Sequence, residues 1–122
     1  MDSPNNALAD HKYVLLTTLK RDGTAVPTPV GPVHYLDGVA VITRAQGKVK
    51  RIRNNPSVTV APCTFRGRLL SEPTKAHAEI LADDHIDAVL DLVAAKYRLS
   101  GGMLKRRRKK GADTFSAIRI TT

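Results

Sequence analysis

Residues 12–44 read KYVLLTTLKRDGTAVPTPVGPVHYLDGVAVITR, and the order of runs and turns in this stretch decides the fold. The first run, KYVLLTTL (12–19), is rich in large apolar and β-branched residues and leads into Arg21-Asp22-Gly23. Asp-Gly between apolar runs marks a hairpin, because the tight turns that suit twisted strands need positive φ. The second run, TAVPTPVGPVHY (24–35), reads as extended. Pro27, Pro29 and Pro32 remove ladder donors there, which predicts a strand that is bulged or at a sheet edge. Asp37-Gly38 then turns the chain into VAVITR (39–44). The stretch predicts a three-stranded antiparallel meander. It disfavours a doubly wound parallel sheet, whose strands need long crossovers rather than short turns.

Downstream the period changes. In QGKVKRIRN (46–54), Val49 and Ile52 stand three apart among cations, which predicts a short helix stopped by Asn54-Asn55-Pro56. SVTVA (57–61) alternates as a strand, and Arg66-Gly67 reads as a turn. KAHAEILA (75–82) is a further strand candidate, with helix left open by the residues alone. Asp83-Asp84 suits a helix start, and Ile86, Val89, Leu90, Val93 and Ala94 carry helical spacing to about Tyr97. The run Lys105 to Lys110 lies between Gly101-Gly102 and Gly111 and reads as a loop. TFSAIRI (114–120) alternates as a last strand. The six strands and few helices predict a mainly β, α+β chain: one domain over residues 1–122, its antiparallel sheet closed into a barrel that hides its edges.

Composition narrows the function. With 42% hydrophobic and 25% charged residues, the chain reads as globular. No apolar run approaches the roughly 20 residues of a membrane helix. The N-terminal MDSPNNALADHKY lacks the basic and apolar regions of a signal peptide. A lone cysteine, Cys63, precludes an internal disulfide and points to a reducing, cytoplasmic location; it reads as a small buried apolar residue. The net charge of +9 suggests a polyanion partner, but the six cations 105–110 account for all but +3 of it. Five scattered aromatic residues argue against single-stranded nucleic acid, which needs stacking platforms.

The densest chemistry is Thr43-Arg44-Ala45-Gln46-Gly47-Lys48-Val49-Lys50-Arg51, where a strand ends and a helix begins. A helix start offers unpaired amides and a positive dipole end, both suited to a phosphate. Lys48 and Arg51, three apart, share one helix face, and Thr43 adds a hydroxyl. The same pattern also fits a solvated basic helix, and spacing alone leaves both readings open. His11, His34, His77 and His85 are scattered without metal-ligand spacing, so no metal site is expected. No Ser/His/Asp elbow, P-loop or dinucleotide fingerprint is present, and no catalytic acid or base is nominated.

Three stretches, LLTTLKRDGTAVPTPV, VITRAQGKVKRIRNNPSVTVAPC and the Arg66-Gly67 turn, together resemble the pyridoxamine 5′-phosphate oxidase-like class. The nearest likeness is to its branch of oxidoreductases that depend on the deazaflavin coenzyme F420. The resemblance spans Tyr13 to Leu81 and extends to the tail. It implies a split β-barrel that forms a homodimer, with a cofactor in each groove between subunits. On the matching positions, Thr43, Lys48 and Arg51 would hold the cofactor phosphate with Lys50 beside them, and Pro29, Val30 and Gly31 would lie against the ring system. The family usually carries tryptophan after the Pro-Val pair, where this chain has Gly31. The implied activity is hydride transfer between a reduced deazaflavin and an organic acceptor. FMN oxidoreduction in the same fold and non-catalytic carriage of the cofactor are alternatives; polyanion or nucleic-acid binding through the basic loop is more remote.

Overall fold

The computed structural model describes residues 8–111 and 113–122. The reading of the N-terminal segment as no signal peptide lies partly outside these residues. Seven strands form one antiparallel sheet: β1 (Val14–Leu19), β2 (Ala25–Val30), β3 (Val33–Tyr35), β4 (Gly38–Thr43), β5 (Ser57–Pro62), β6 (Thr74–Ile80) and β7 (Ser116–Thr121). Accompanying them are the α-helices α1 (Gln46–Asn54), α2 (Ile86–Lys96), entered through a 3₁₀ turn at Asp83–His85, and α3 (Arg98–Lys110). Among the described residues, no helix is long and apolar enough to cross a membrane.

The sheet order is β2-β1-β5-β6-β7-β4-β3. Its two edges, β2 and β3, are joined only by Gly31 and Pro32. Seven flat strands would hold those edges about 29 Å apart. Residues 30 and 33 can lie no more than about 11 Å apart along the chain. The sheet must therefore curl until its edges approach, which makes it a split barrel. The expected mainly β, antiparallel barrel is present, with seven strands where six were read. The extra one arises because Pro32 divides the segment 24–35. The predicted three-stranded meander is corrected accordingly. β2 pairs with β1 and β3 with β4, and the two halves of the proline-rich run sit on opposite edges, where missing amides cost no ladder bonds.

The hairpins follow local chemistry. Gly23 adopts φ of 88°, and Asp22 Oδ1 accepts a hydrogen bond from the Thr24 amide. At the β3–β4 turn, Leu36 and Asp37 both take positive φ, 48° and 58°, the primed geometry that two-residue hairpins favour. Val14, Leu16, Val60, Ile118 and Ile120 fill the barrel interior. On the outer side of β4 and β7, Ala40 and Ala117 pack against Val89, Leu90 and Val93 of α2. Both faces of these strands are thus covered. Cys63 is buried, as expected, and burial raises the pKa of its thiol.

The basic run differs from expectation: residues 105–110 belong to α3 rather than to a loop. Gly101 is a packing residue there. A β-carbon on it would stand 2.4 Å from the Ala94 Cα of α2, so only glycine allows the two helices this close. Lys105 pairs with Asp91 at 2.9 Å and Arg108 with Asp87 at 3.2 Å, tying α3 across to α2.

Candidate functional site

A groove of about 460 Å³ opens where the β2–β3 corner, the end of β4 and the start of α1 meet, and Leu104 of α3 closes its side. Pro29, Val30, Gly31, Thr43 and Lys48 line it together. The corner is held by Lys96, whose ammonium donates to the carbonyls of Ala9, His11 and Pro32 at 2.6–2.7 Å. All three donors of the ammonium are used on backbone, so the segment around Ala9 and His11 and the β2–β3 corner are both tied to α2.

Lys48 is the chemical centre. Its side chain is packed in the first turn of α1 and the residue is only 4% exposed. Among the described residues its ammonium has no hydrogen-bond or ion-pair partner. Burial, with the nearby Arg51 charge adding to it, lowers its pKa to about 8. The residue is packed while its ammonium opens onto the groove, so the cation is open to an anionic ligand there. The start of α1 has the same character: no side chain caps it and no acidic residue stands in its first turn. Thr43 is buried at the end of β4; its Oγ accepts a hydrogen bond from the Ala45 amide at 3.0 Å, and its own proton remains available to donate. Cation, hydroxyl and helix start together suit a phosphate or another compact anion.

The other two predicted cations lie elsewhere. Arg51 stands behind the groove rather than in its lining, and its Nε donates to Thr18 Oγ on β1 at 2.7 Å. Lys50 is exposed on the opposite side of α1 from the buried Lys48 and Val49. Four lining residues were not nominated from sequence: Ile42, Arg44, Ala45 and Leu104. The first three flank Thr43 and continuity could have found them. Leu104 could not be found, because its segment reads as a loop. The Arg44 guanidinium donates to Asp113 Oδ2 at 3.1 Å, an oxygen shared with Arg107.

A second lobe of about 250 Å³ continues from the groove through Gly31, Ile42 and Leu104. Tyr13, Phe65, Val93, Tyr97 and Ser100 complete its walls. Tyr97 lies over Gly31: a β-carbon there would fall 2.8 Å from the ring Cζ. The departure from tryptophan at this position is therefore matched by a tyrosine that occupies the space over the glycine. The Tyr97 hydroxyl donates to the Lys12 carbonyl, and burial, with Tyr13 nearby, raises its pKa.

No family model matches the chain, and no curated protein matches it in sequence. Solved structures do match in shape. HutZ, the heme storage protein of Vibrio cholerae, superposes with a TM-score of 0.68 at 15% identity, over 92% of this chain and 82% of its own. A pyridoxamine 5′-phosphate oxidase candidate from Listeria innocua gives 0.62 at 17% identity, over 95% and 87%. An FAD-binding protein from Mesorhizobium loti gives 0.58 at 17% identity, over 95% and 82%. At these identities the likeness concerns architecture. With the curled seven-stranded sheet, it establishes that the chain has the split-barrel fold of the pyridoxamine 5′-phosphate oxidase-like proteins.

Proposed function

We propose that this chain binds a phosphate-bearing flavin or deazaflavin in the groove and acts as an oxidoreductase on a small organic acceptor, as a homodimer. The observation that carries the reading is Lys48, a buried cation with no anionic partner among the described residues, placed beside an uncapped helix start. In this reading Lys48 and Thr43 hold the phosphate, Arg51 adds long-range positive potential from behind, and Pro29, Val30 and Gly31 face the ring system. Lys50, being exposed, contributes least. The likeness to an FAD-binding protein supports the cofactor class. A haem reading, which the likeness to HutZ raises, receives less support: among the described residues lining the two lobes there is no His, Cys or Met to ligate iron, and of the two tyrosines there Tyr97 spends its hydroxyl on the Lys12 carbonyl.

The bound cofactor would supply the redox chemistry, a hydride for the acceptor, with the accompanying proton exchanged through solvent. The chain's own residues bind, orient and exclude water. Coenzyme F420 is the leading candidate and FMN the alternative, since both present a tricyclic ring and a phosphate.

Fluorescence titration with F420 and with FMN tests this, followed by oxidation of the reduced cofactor by candidate acceptors. One of the two should bind. Lys48→Ala should weaken binding by about 1.5–3 kcal/mol, the worth of a hydrogen bond to a charged group, and Arg51→Ala should act in the same direction. Unchanged affinity in both variants would reject the site. Tight binding without turnover against any acceptor would favour a carrier over an enzyme.

A further inference from the structure

We propose that the second lobe is a binding site for a planar, uncharged aromatic molecule, held against Tyr13, Phe65 and Tyr97 beside the phosphate groove. Three aromatic side chains converge on this one concavity, although the whole chain has only five. Tyr13 meets Phe65 edge-on, with centroids 5.5 Å apart and planes at 63°, and Tyr13 stands 6.1 Å from Tyr97 at 35°. The splayed rings offer edges and faces to an aromatic partner, although the Lys12 and Lys96 ammoniums lie 5.9 and 5.3 Å from the Tyr13 and Tyr97 centroids.

The walls are also held in place. The Tyr97 ring is seated over Gly31, where no side chain competes, and its hydroxyl is committed to the Lys12 carbonyl. Tyr97 therefore offers its ring and not a free polar group. No charged side chain lines the lobe, and the Lys96 ammonium near Tyr97 is spent on three backbone carbonyls, so the walls favour an uncharged ligand. Phe65 is 72% exposed, far more than a large aromatic residue in a satisfied environment. A flat molecule in the lobe would cover it. The volume, about 250 Å³, lies just below the range of drug-sized pockets, roughly 300–1,000 Å³, and suits a molecule of one or two rings. The two lobes share Gly31, Ile42 and Leu104, so a molecule in one borders a molecule in the other. The role of this lobe as the acceptor site rests on the flavin reading; its preference for flat aromatic molecules does not.

The test titrates the full-length protein by calorimetry with 2-naphthol and with its saturated counterpart, decahydro-2-naphthol, while ring-proton resonances report on Tyr13 and Tyr97. The planar probe should bind at least about tenfold more tightly and shift both tyrosines, and Phe65→Ala should weaken it by about two- to tenfold, the strength of one aromatic pair. Phe65→Leu, which keeps the bulk, should reduce the preference for the planar probe. Phe65 is exposed, so neither change threatens folding. Equal affinity for the two probes, or full naphthol affinity in Phe65→Ala, would overturn the proposal. So would an effect of Phe65→Ala confined to oligomeric state by light scattering, which would mean that a second copy covers this ring. F420 and FMN titrated into the same samples separate the two readings. Naphthol failing while either cofactor binds sinks this inference alone, whereas both cofactors failing while naphthol binds sinks the flavin or deazaflavin reading alone.

Discussion

At the residue scale, Lys48 is kept at a cost to stability. Its pKa is about 8 in the fold against 10.5 in the unfolded chain. Between those values the folded state binds fewer protons, so stability rises with pH across that window. The penalty is complete below the window and disappears above it; at neutral pH it is on the order of 3 kcal/mol. Replacing the ammonium by an apolar chain of similar shape should remove it. Lys48→Met should therefore melt higher than the parent at pH 7 without ligand, and the gap should close as pH approaches 10.5. The same variant should bind the phosphate cofactor poorly, a trade of stability for function. Thermal unfolding of both proteins at a series of pH values measures this; a lower melting temperature for Lys48→Met at pH 7 would show that the ammonium has a stabilising partner. Thr43 and Lys48 were legible from spacing because both lie where a strand hands over to a helix. The displacement of Arg51 was not, because its tie to Thr18 depends on how β1 packs beneath α1.

At the element scale, the two adjacent glycines of α3 carry opposite instructions. Read as punctuation they predict a loop, and that reading failed because only tertiary packing distinguishes them. Gly101 touches the α2 backbone, while Gly102 has nothing within 4 Å of the place a β-carbon would occupy. Gly102→Ala should therefore stabilise the protein by about 0.5–1 kcal/mol through helix propensity alone. Gly101→Ala gains the same propensity but must push α2 and α3 apart, so it should be net destabilising by about 1–3 kcal/mol. Because Leu104 moves with α3, Gly101→Ala should also weaken ligand binding at the groove. Denaturant midpoints for the two variants check the pair; shifts of the same sign would contradict the packing role. The ion pairs Lys105–Asp91 and Arg108–Asp87 are too exposed to rescue the packing, since such pairs contribute about 0–1 kcal/mol. By contrast α1, α2 and six of the strands were readable, because period and turn residues agreed locally.

At the scale of the whole molecule, closure into a barrel was legible from the need to hide the sheet edges, but the identity of the edge strands was not. Which strands become edges depends on long-range pairing, and the sequence of residues 24–35 shows only that Pro27, Pro29 and Pro32 avoid a central position. That same pairing exposes a surface that motivates the proposed homodimer. Across β2, β1 and β5 the outward residues meet in register: Leu15 opposes Pro29 and Ala61, Thr17 opposes Pro27 and Thr59, and Leu19 opposes Ala25. None is charged, in a chain where charged residues are 25% of the total. Antiparallel sheets with one wet face normally alternate apolar and polar residues, and β1 does not. Near one end the Gly67 turn covers Leu15 and Pro29, but Thr17, Leu19, Ala25 and Pro27 are left at least partly exposed. Pro29 belongs to this face and also to the groove lining, so a second copy seated here would border the cofactor site. The chain should be a dimer at micromolar concentration by light scattering. Thr17→Lys places a charge at the centre of the face; an unpaired buried charge costs about 3–5 kcal/mol, which should weaken dimerisation by at least roughly 100-fold. Thr17 points outward, so the monomer should stay folded, and its cofactor affinity should fall with the loss of the partner. A monomeric parent that binds the cofactor at full strength would contradict both the dimer and its part in the site.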